Sequence, residues 1–220
     1  MKKIACLLLM FILAFSMVSC GGSSDGGSES RDAILEIAAS AKPTKITTVS
    51  AYVINDTEVY NGFYTMTVEG NDSIFDFSYE RRATVAEQAD GMKVTVEGVV
   101  YYKDGLYSRD GEEWDSEAPS AIELDFNLDA ALLDTYTVAT NGNSLTATVT
   151  GENIKKVLGS QLGVDGAVTV TVITNGTYLS RIEVEYKTAG GATVSVDTTY
   201  TYDQITLEFP GEEPEDSDAE

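Results

Sequence analysis

Thirty-six carboxylates and two cysteines hold most of the chemistry this 220-residue chain could perform. There is no histidine. That removes Ser-His-Asp and Cys-His nucleophilic sites and most zinc sites. Acid pairs are plentiful, as at Glu112, Glu113, Asp115 and Glu117. A carboxylate hydrolase needs two of them across a cleft with separated pKa values. With so many acids, chance proximity explains such runs, and a solvated acidic loop is expected there. No spaced set of oxygen ligands suggests a calcium site. No glycine-rich phosphate loop occurs either; Gly62, Gly91, Gly142 and Gly176 each follow Asn or Asp and are read as turn residues. The chain is therefore expected to be non-enzymatic, with no catalytic residue, no metal and no cofactor.

The cysteines point elsewhere. Lys2-Lys3 precedes an apolar run from Ile4 to Val18, then Ser19-Cys20. The run is shorter than the roughly 20 residues a membrane span needs, so residues 1–19 read as a signal peptide. Met17-Val18-Ser19-Cys20 resembles the bacterial lipobox, with Met17 where Leu is usual. That resemblance implies a diacylglyceryl group on Cys20 and cleavage that leaves Cys20 first. Residues 20–30, with Gly21-Gly22-Ser23-Ser24, are expected to be a flexible tether reaching on the order of 16–19 Å. Cys6 leaves with the signal, so the exported domain holds no disulfide and must stand on its core.

Removing residues 1–19 leaves twelve basic residues against 36 acidic ones, a formal −24. Such a surface repels nucleic acid and anionic head groups. Nucleic-acid binding is excluded, a monomer is expected, and the membrane is met through the lipid anchor alone.

The elements between are mostly strands. Ala167–Thr174 and Thr177–Tyr186 alternate oily and polar residues on either side of Asn175-Gly176, the strongest short-range hairpin signal. Val168, Val170 and Val172 share one face; Tyr178, Ile182, Val184 and Tyr186 share the facing one. The same period runs through Ala192–Tyr202, Met92–Tyr102, Ser73–Arg82, Thr57–Glu69, Ile46–Ile54, Ile122–Phe126, and a second Asn-Gly hairpin at 135–150. Gln204–Phe209 is expected to be a last strand. Short helices are expected from Ser30 to before Pro43, at Leu128–Asp134 capped by Asn127, and from Glu152 to Gly159. Residues 211–220 read as an acidic, disordered tail. The fold class is mainly β: a curved antiparallel sheet of about ten to eleven strands forming an incomplete barrel, covered by two or three short helices. The domain spans 31–210. A two-sheet sandwich is the alternative.

Ser144–Leu158, Ala167–Ile173 and Leu179–Tyr186 resemble the strand–helix–strand–hairpin core of the LolA/LppX/LprG-like bacterial lipoproteins. The closing Tyr200-Thr201-Tyr202 and Ile205–Pro210 are similar as well, and Tyr101–Trp114 resembles a strand-and-turn segment of exported Gram-positive lipoproteins. The resemblance implies a half-barrel whose cavity accepts acyl chains on the extracytoplasmic face of the membrane. Met92, Val94, Val96, Val168, Val170, Val172, Ile182, Val184, Tyr186, Val194 and Val196 are the expected cavity wall, although as plain core they need no further account. The alternative is a structural or interaction lipoprotein of the cell envelope with a filled core.

Overall fold

The structure is a computed structural model, and it describes residues 26–55, 57–83, 93–116, 128–158 and 163–210. The signal segment, Cys20, Met92, the Ile122–Phe126 run, Asn127, Gly159 and the acidic tail lie outside the described residues.

Ten strands form one curved, unclosed antiparallel sheet. Their chain order makes two meanders. The first is β1 (Lys45–Ile54), β2 (Thr57–Glu69), β3 (Asp72–Arg82), β4 (Lys93–Lys103) and β5 (Leu106–Ser108). The second is β6 (Thr135–Val138), β7 (Ser144–Thr150), β8 (Val164–Thr174), β9 (Leu179–Thr188) and β10 (Thr193–Thr201). First and last strands join them: β1 pairs with β10 from Lys45↔Thr201 to Val53↔Thr193. At the seam the Thr48 and Thr198 hydroxyls hydrogen-bond at 3.0 Å, both buried. The sheet therefore runs β5-β4-β3-β2-β1-β10-β9-β8-β7-β6.

Strand alternation gives this sheet one oily side. In β7, Leu145, Ala147 and Val149 are buried; in β8, Val168, Val170 and Val172; in β9, Ile182, Val184 and Tyr186. The ladders place these residues opposite one another, as in Val170↔Val184 and Val172↔Ile182. Helix α1 (Gly26–Ala39) lies over β6, β7 and β8, and buries Ile34, Leu35 and Ala38. Helix α2 (Glu152–Leu158) adds Val157 and Leu158 to the same cluster. Each such side chain contributes about 1.5–3 kcal/mol of burial, which is how a domain without a disulfide can hold together.

Four local features differ from the sequence reading. α1 starts at Gly26, so its first turn falls within the stretch expected to be tether. The 3₁₀ turn Ala130–Leu132 is capped by Asp129, whose Oδ1 accepts from Ala131 N at 2.9 Å; standing directly before the turn, Asp129 does the work expected of Asn127. The β8–β9 hairpin closes over Asn175–Tyr178, not over Asn-Gly alone: Asn175 Oδ1 accepts from Thr177 N and Tyr178 N, and the ladder shifts register at Thr174. Tyr178 consequently leaves the face of Ile182 and Val184 and is half exposed, its ring 4.8 Å from that of Tyr202.

The fourth is the expected strand Gln204–Phe209, which forms no ladder. Both sides of β10 are taken, by β1 and β9, so the chain leaves the sheet as a strap. Leu207 N donates to Glu69 Oε2 at 2.8 Å. Phe209 packs edge-on against Tyr101 and Trp114, with the Lys103 ammonium 5.1 Å from its ring centre.

Truncating Ile182 to Ala in the core should cost about 2–5 kcal/mol in urea unfolding, whereas Val49→Ala, on the half-exposed outer face of β1, should stay within about 0.5 kcal/mol. Equal costs at the two positions would contradict this assignment of faces.

Candidate functional site

The concave face changes character on crossing the seam. Under the helices it is aliphatic and filled. Beyond β10 it is aromatic, and no helix among the described residues lies over it. Register puts Tyr52 of β1, Tyr60 and Tyr64 of β2, and Phe75, Phe77 and Tyr79 of β3 on this side, through Tyr52↔Tyr60, Tyr64↔Phe77 and Gly62↔Tyr79. Phe75 is buried, while the five others are half-buried.

These rings surround a pocket of about 240 Å³. It is lined by Tyr52, Tyr60, Tyr64, Tyr79 and Tyr186, together with Ser50, Ala51, Asn61, Glu80, Thr188 and Val194. The Tyr52 and Tyr60 rings lie 5.9 Å apart at 52°, those of Tyr64 and Tyr79 6.3 Å apart at 21°. Phe75 lies 6.4 Å from Tyr64 at 19°, and Phe77 lies 6.2 Å from Tyr79, tilted by 31°.

Gly62 makes the pocket possible. A Cβ there would meet Tyr64 Oη at 2.6 Å and Ser50 Oγ at 2.8 Å. The missing side chain lets the Tyr64 ring lie across the sheet instead of standing on it. Gly98 in β4 does the same for Phe77, whose Cζ would lie 2.9 Å from an added Cβ. Gly62 was read from its Asn61-Gly62 dipeptide as a turn residue; it sits inside β2, and its role is space, not chain reversal.

The residues expected to wall a cavity divide into two groups. Val168, Val170, Val172, Ile182 and Val184 are at most 3% exposed and pack in the helix-covered cluster. Tyr186 and Val194 line the pocket. Val196 stands between the groups, facing Ser50 across the seam. Val94 and Val96 lie on β4 opposite Arg81 and Tyr79. Ser50, Tyr52, Tyr60, Tyr64 and Tyr79 were not expected at a site. The available signal was the pair of tyrosines at 60 and 64, equal in parity and flanking a glycine.

Burial raises the Tyr186 hydroxyl above its ordinary pKa, and the neighbouring Tyr52 adds to the effect. Burial does the same more strongly at Tyr200, and also at Tyr102 and Tyr202. At neutral pH the Tyr186 hydroxyl in the pocket lining is therefore a neutral phenol. Among the described residues, no group of three or more His, Cys, Asp or Glu is placed to hold a metal ion. Arg181 forms a two-point pair with Asp197 on the convex face, away from the pocket.

Trp114, expected to anchor its loop, lies against Phe209 and outside the pocket. Among the described residues, no helix is long and apolar enough to cross a membrane. No family model and no curated protein matches the chain. Among solved structures, the hypothetical protein CT021 from Chlamydia trachomatis is similar at 8% identity, covering 83% of this chain and 98% of its own, with a TM-score of 0.32.

Two outcomes follow from the phenols and the glycine. Raised tyrosine pKa values mean the folded chain keeps protons that the unfolded chain gives up. The contribution of Tyr102, Tyr186, Tyr200 and Tyr202 to stability should be level below pH 10 and fall as pH rises above it, their ionisation coinciding with loss of far-UV circular dichroism; every tyrosine titrating at pH 10 in a folded chain would contradict it. Gly62→Ala should displace the Tyr64 ring, costing about 1–3 kcal/mol and changing the near-UV tyrosine signal. An unaltered signal at wild-type stability would refute the crowding argument.

Proposed function

We propose that this chain is an extracytoplasmic, membrane-tethered lipoprotein that binds or transfers an amphipathic hydrophobic ligand without catalysing a reaction. The LolA/LppX/LprG-like layout is part of this reading. The observation that carries it is the open, tyrosine-walled half of an unclosed trough. An unclosed sheet must cover its oily side, and here the helices cover one half and leave rings on the other. A pocket of about 240 Å³ is smaller than the roughly 300–1,000 Å³ of drug-sized sites. It suits one head group or a short chain segment, not a whole two-chain lipid. Ring faces would desolvate the apolar part, while phenol hydroxyls, Ser50 and Asn61 would meet a polar part.

The tether belongs to the same proposal. Cys20 follows an apolar signal, and a multi-chain lipid anchor holds where one chain is marginal. The acidic body keeps the trough from collapsing onto an anionic surface.

One observation favours the alternative of a structural envelope module: six of the expected wall residues, Val168, Val170, Val172, Ile182, Val184 and Tyr186, belong to the buried cluster that also holds residues of α1 and α2. The two readings separate on organic extracts of the full chain purified from its membrane. Mass spectrometry should find a co-purifying amphiphile in the wild type and much less in Tyr64→Ala, with a fatty-acylated Cys20 peptide in both. A clean blank from the wild type favours the structural module. Cys20→Ala should release the protein from the membrane fraction; retention there would contradict the anchor.

A further inference from the structure

We infer that the tyrosine-walled pocket receives a methylated ammonium group, either the cationic head of an amphipath or a small free quaternary ammonium compound. The inference rests on the binding reading above and names what this pocket selects.

The first argument is the wall. Five tyrosines converge on one small pocket, and their ring planes differ in direction: Tyr52 and Tyr60 are tilted by 52°, whereas Tyr64 and Tyr79 are within 21° of parallel. Tyr186 closes the side toward β9. A cation within about 6 Å of a ring centre is drawn to its negative face. The Tyr64 ring is laid across bare Gly62, beside the ring of Tyr79. A purely hydrocarbon ligand would use the area of the rings and leave their hydroxyls unused. The aliphatic residues that would suit one are already buried on the far side of the seam.

The second argument is charge. No Lys or Arg lines the pocket. A carboxylate or phosphate there would meet hydroxyl and amide donors and the Glu80 carboxylate, with no cationic partner in the lining. Glu80 pairs with Lys93 at 2.9 Å, so local charge is close to balanced. Arg81 follows Tyr79 by two residues on the same face but is not part of the lining, and its Nη1 donates to Arg82 O. Over longer range the chain carries a formal −22, and that field draws cations toward the body until salt screens it over about 8 Å. Methylation matters because an ammonium with three donors needs acceptors beyond the ring faces, and would compete for the phenol, Ser50, Asn61 and Glu80 oxygens. A methylated one has an apolar shell that the rings can cover.

The test compares choline with neohexyl alcohol, its uncharged carbon isostere, by calorimetric titration of the full chain. Choline should bind roughly tenfold more tightly, and added salt should weaken it. Tyr60→Leu should lower choline affinity by a similar factor, while Tyr60→Phe, which keeps the ring face, should retain it. Urea midpoints of both variants check that they fold, and the choline–isostere comparison needs no variant at all. Equal affinity for the isostere, or no choline binding, overturns the inference.

Vesicles of phosphatidylcholine and of phosphatidylglycerol identify the source. Phosphatidylcholine binding that choline competes away assigns a lipid head group; choline binding without vesicle binding assigns a free solute. Both outcomes support the inference, whereas preference for phosphatidylglycerol overturns it. A co-purifying lipid without an ammonium group, together with silent choline titrations, would sink this inference and leave the hydrophobic-cargo reading standing. Choline binding with a blank extract would do the reverse.

Discussion

The pairing of β1 with β10 is the constraint from which the rest of this molecule follows. It joins residues about 150 positions apart, the Thr48–Thr198 hydroxyl bond among them. Without it the chain is two five-stranded meanders, each with an oily face and no partner. With it they become one surface, and strand twist curls that surface into a trough. Such a long-range contact is slow to form and closes a large loop. The seam has a local consequence too: it sets the aliphatic residues of β8–β10 beside the tyrosines of β1–β3.

The two halves of the trough solve the same problem differently. On one side, α1 and α2 supply Ile34, Leu35, Val157 and Leu158, and the interior is filled. On the other, width is taken up by rings that lie over glycines. Gly62 and Gly98 stand where any larger residue would collide with Tyr64 or Phe77. A glycine within a strand weakens it, so two of them under aromatic rings, on β2 and β4 either side of β3, mark where close approach matters more than strand stability. The C-terminal strap braces the far edge, through Leu207 on Glu69 and Phe209 between Tyr101 and Trp114.

Much of this architecture is written locally. Period-two alternation in Ala167–Tyr186 and Met92–Tyr102 identifies strands and one oily face, and the absence of long amphipathic helices points to a curled sheet. Which strand neighbours which is not local: nothing in Lys45–Ile54 names Thr193–Thr201 as its partner. The strap was misread as a strand because Ile205, Leu207 and Phe209 alternate just as strand residues do; only the occupancy of both sides of β10 separates the cases. Tyr178 was misplaced because a four-residue loop shifts register where Asn175-Gly176 suggests two. The pocket was half legible. Tyr186 and Val194 were expected at a cavity, but Tyr52, Tyr60, Tyr64 and Tyr79 lie on strands whose facing becomes clear only after pairing.

The central claim is that the trough's open half, and not its filled half, meets a ligand. Nuclear magnetic resonance of the full chain as purified, before and after organic extraction, tests this most directly. Ring signals of Tyr52, Tyr60, Tyr64 and Tyr79 should shift between the two states, while the methyls of Val170, Val172 and Val184 stay where they are. Shifts confined to those methyls, or identical spectra throughout, would contradict the account.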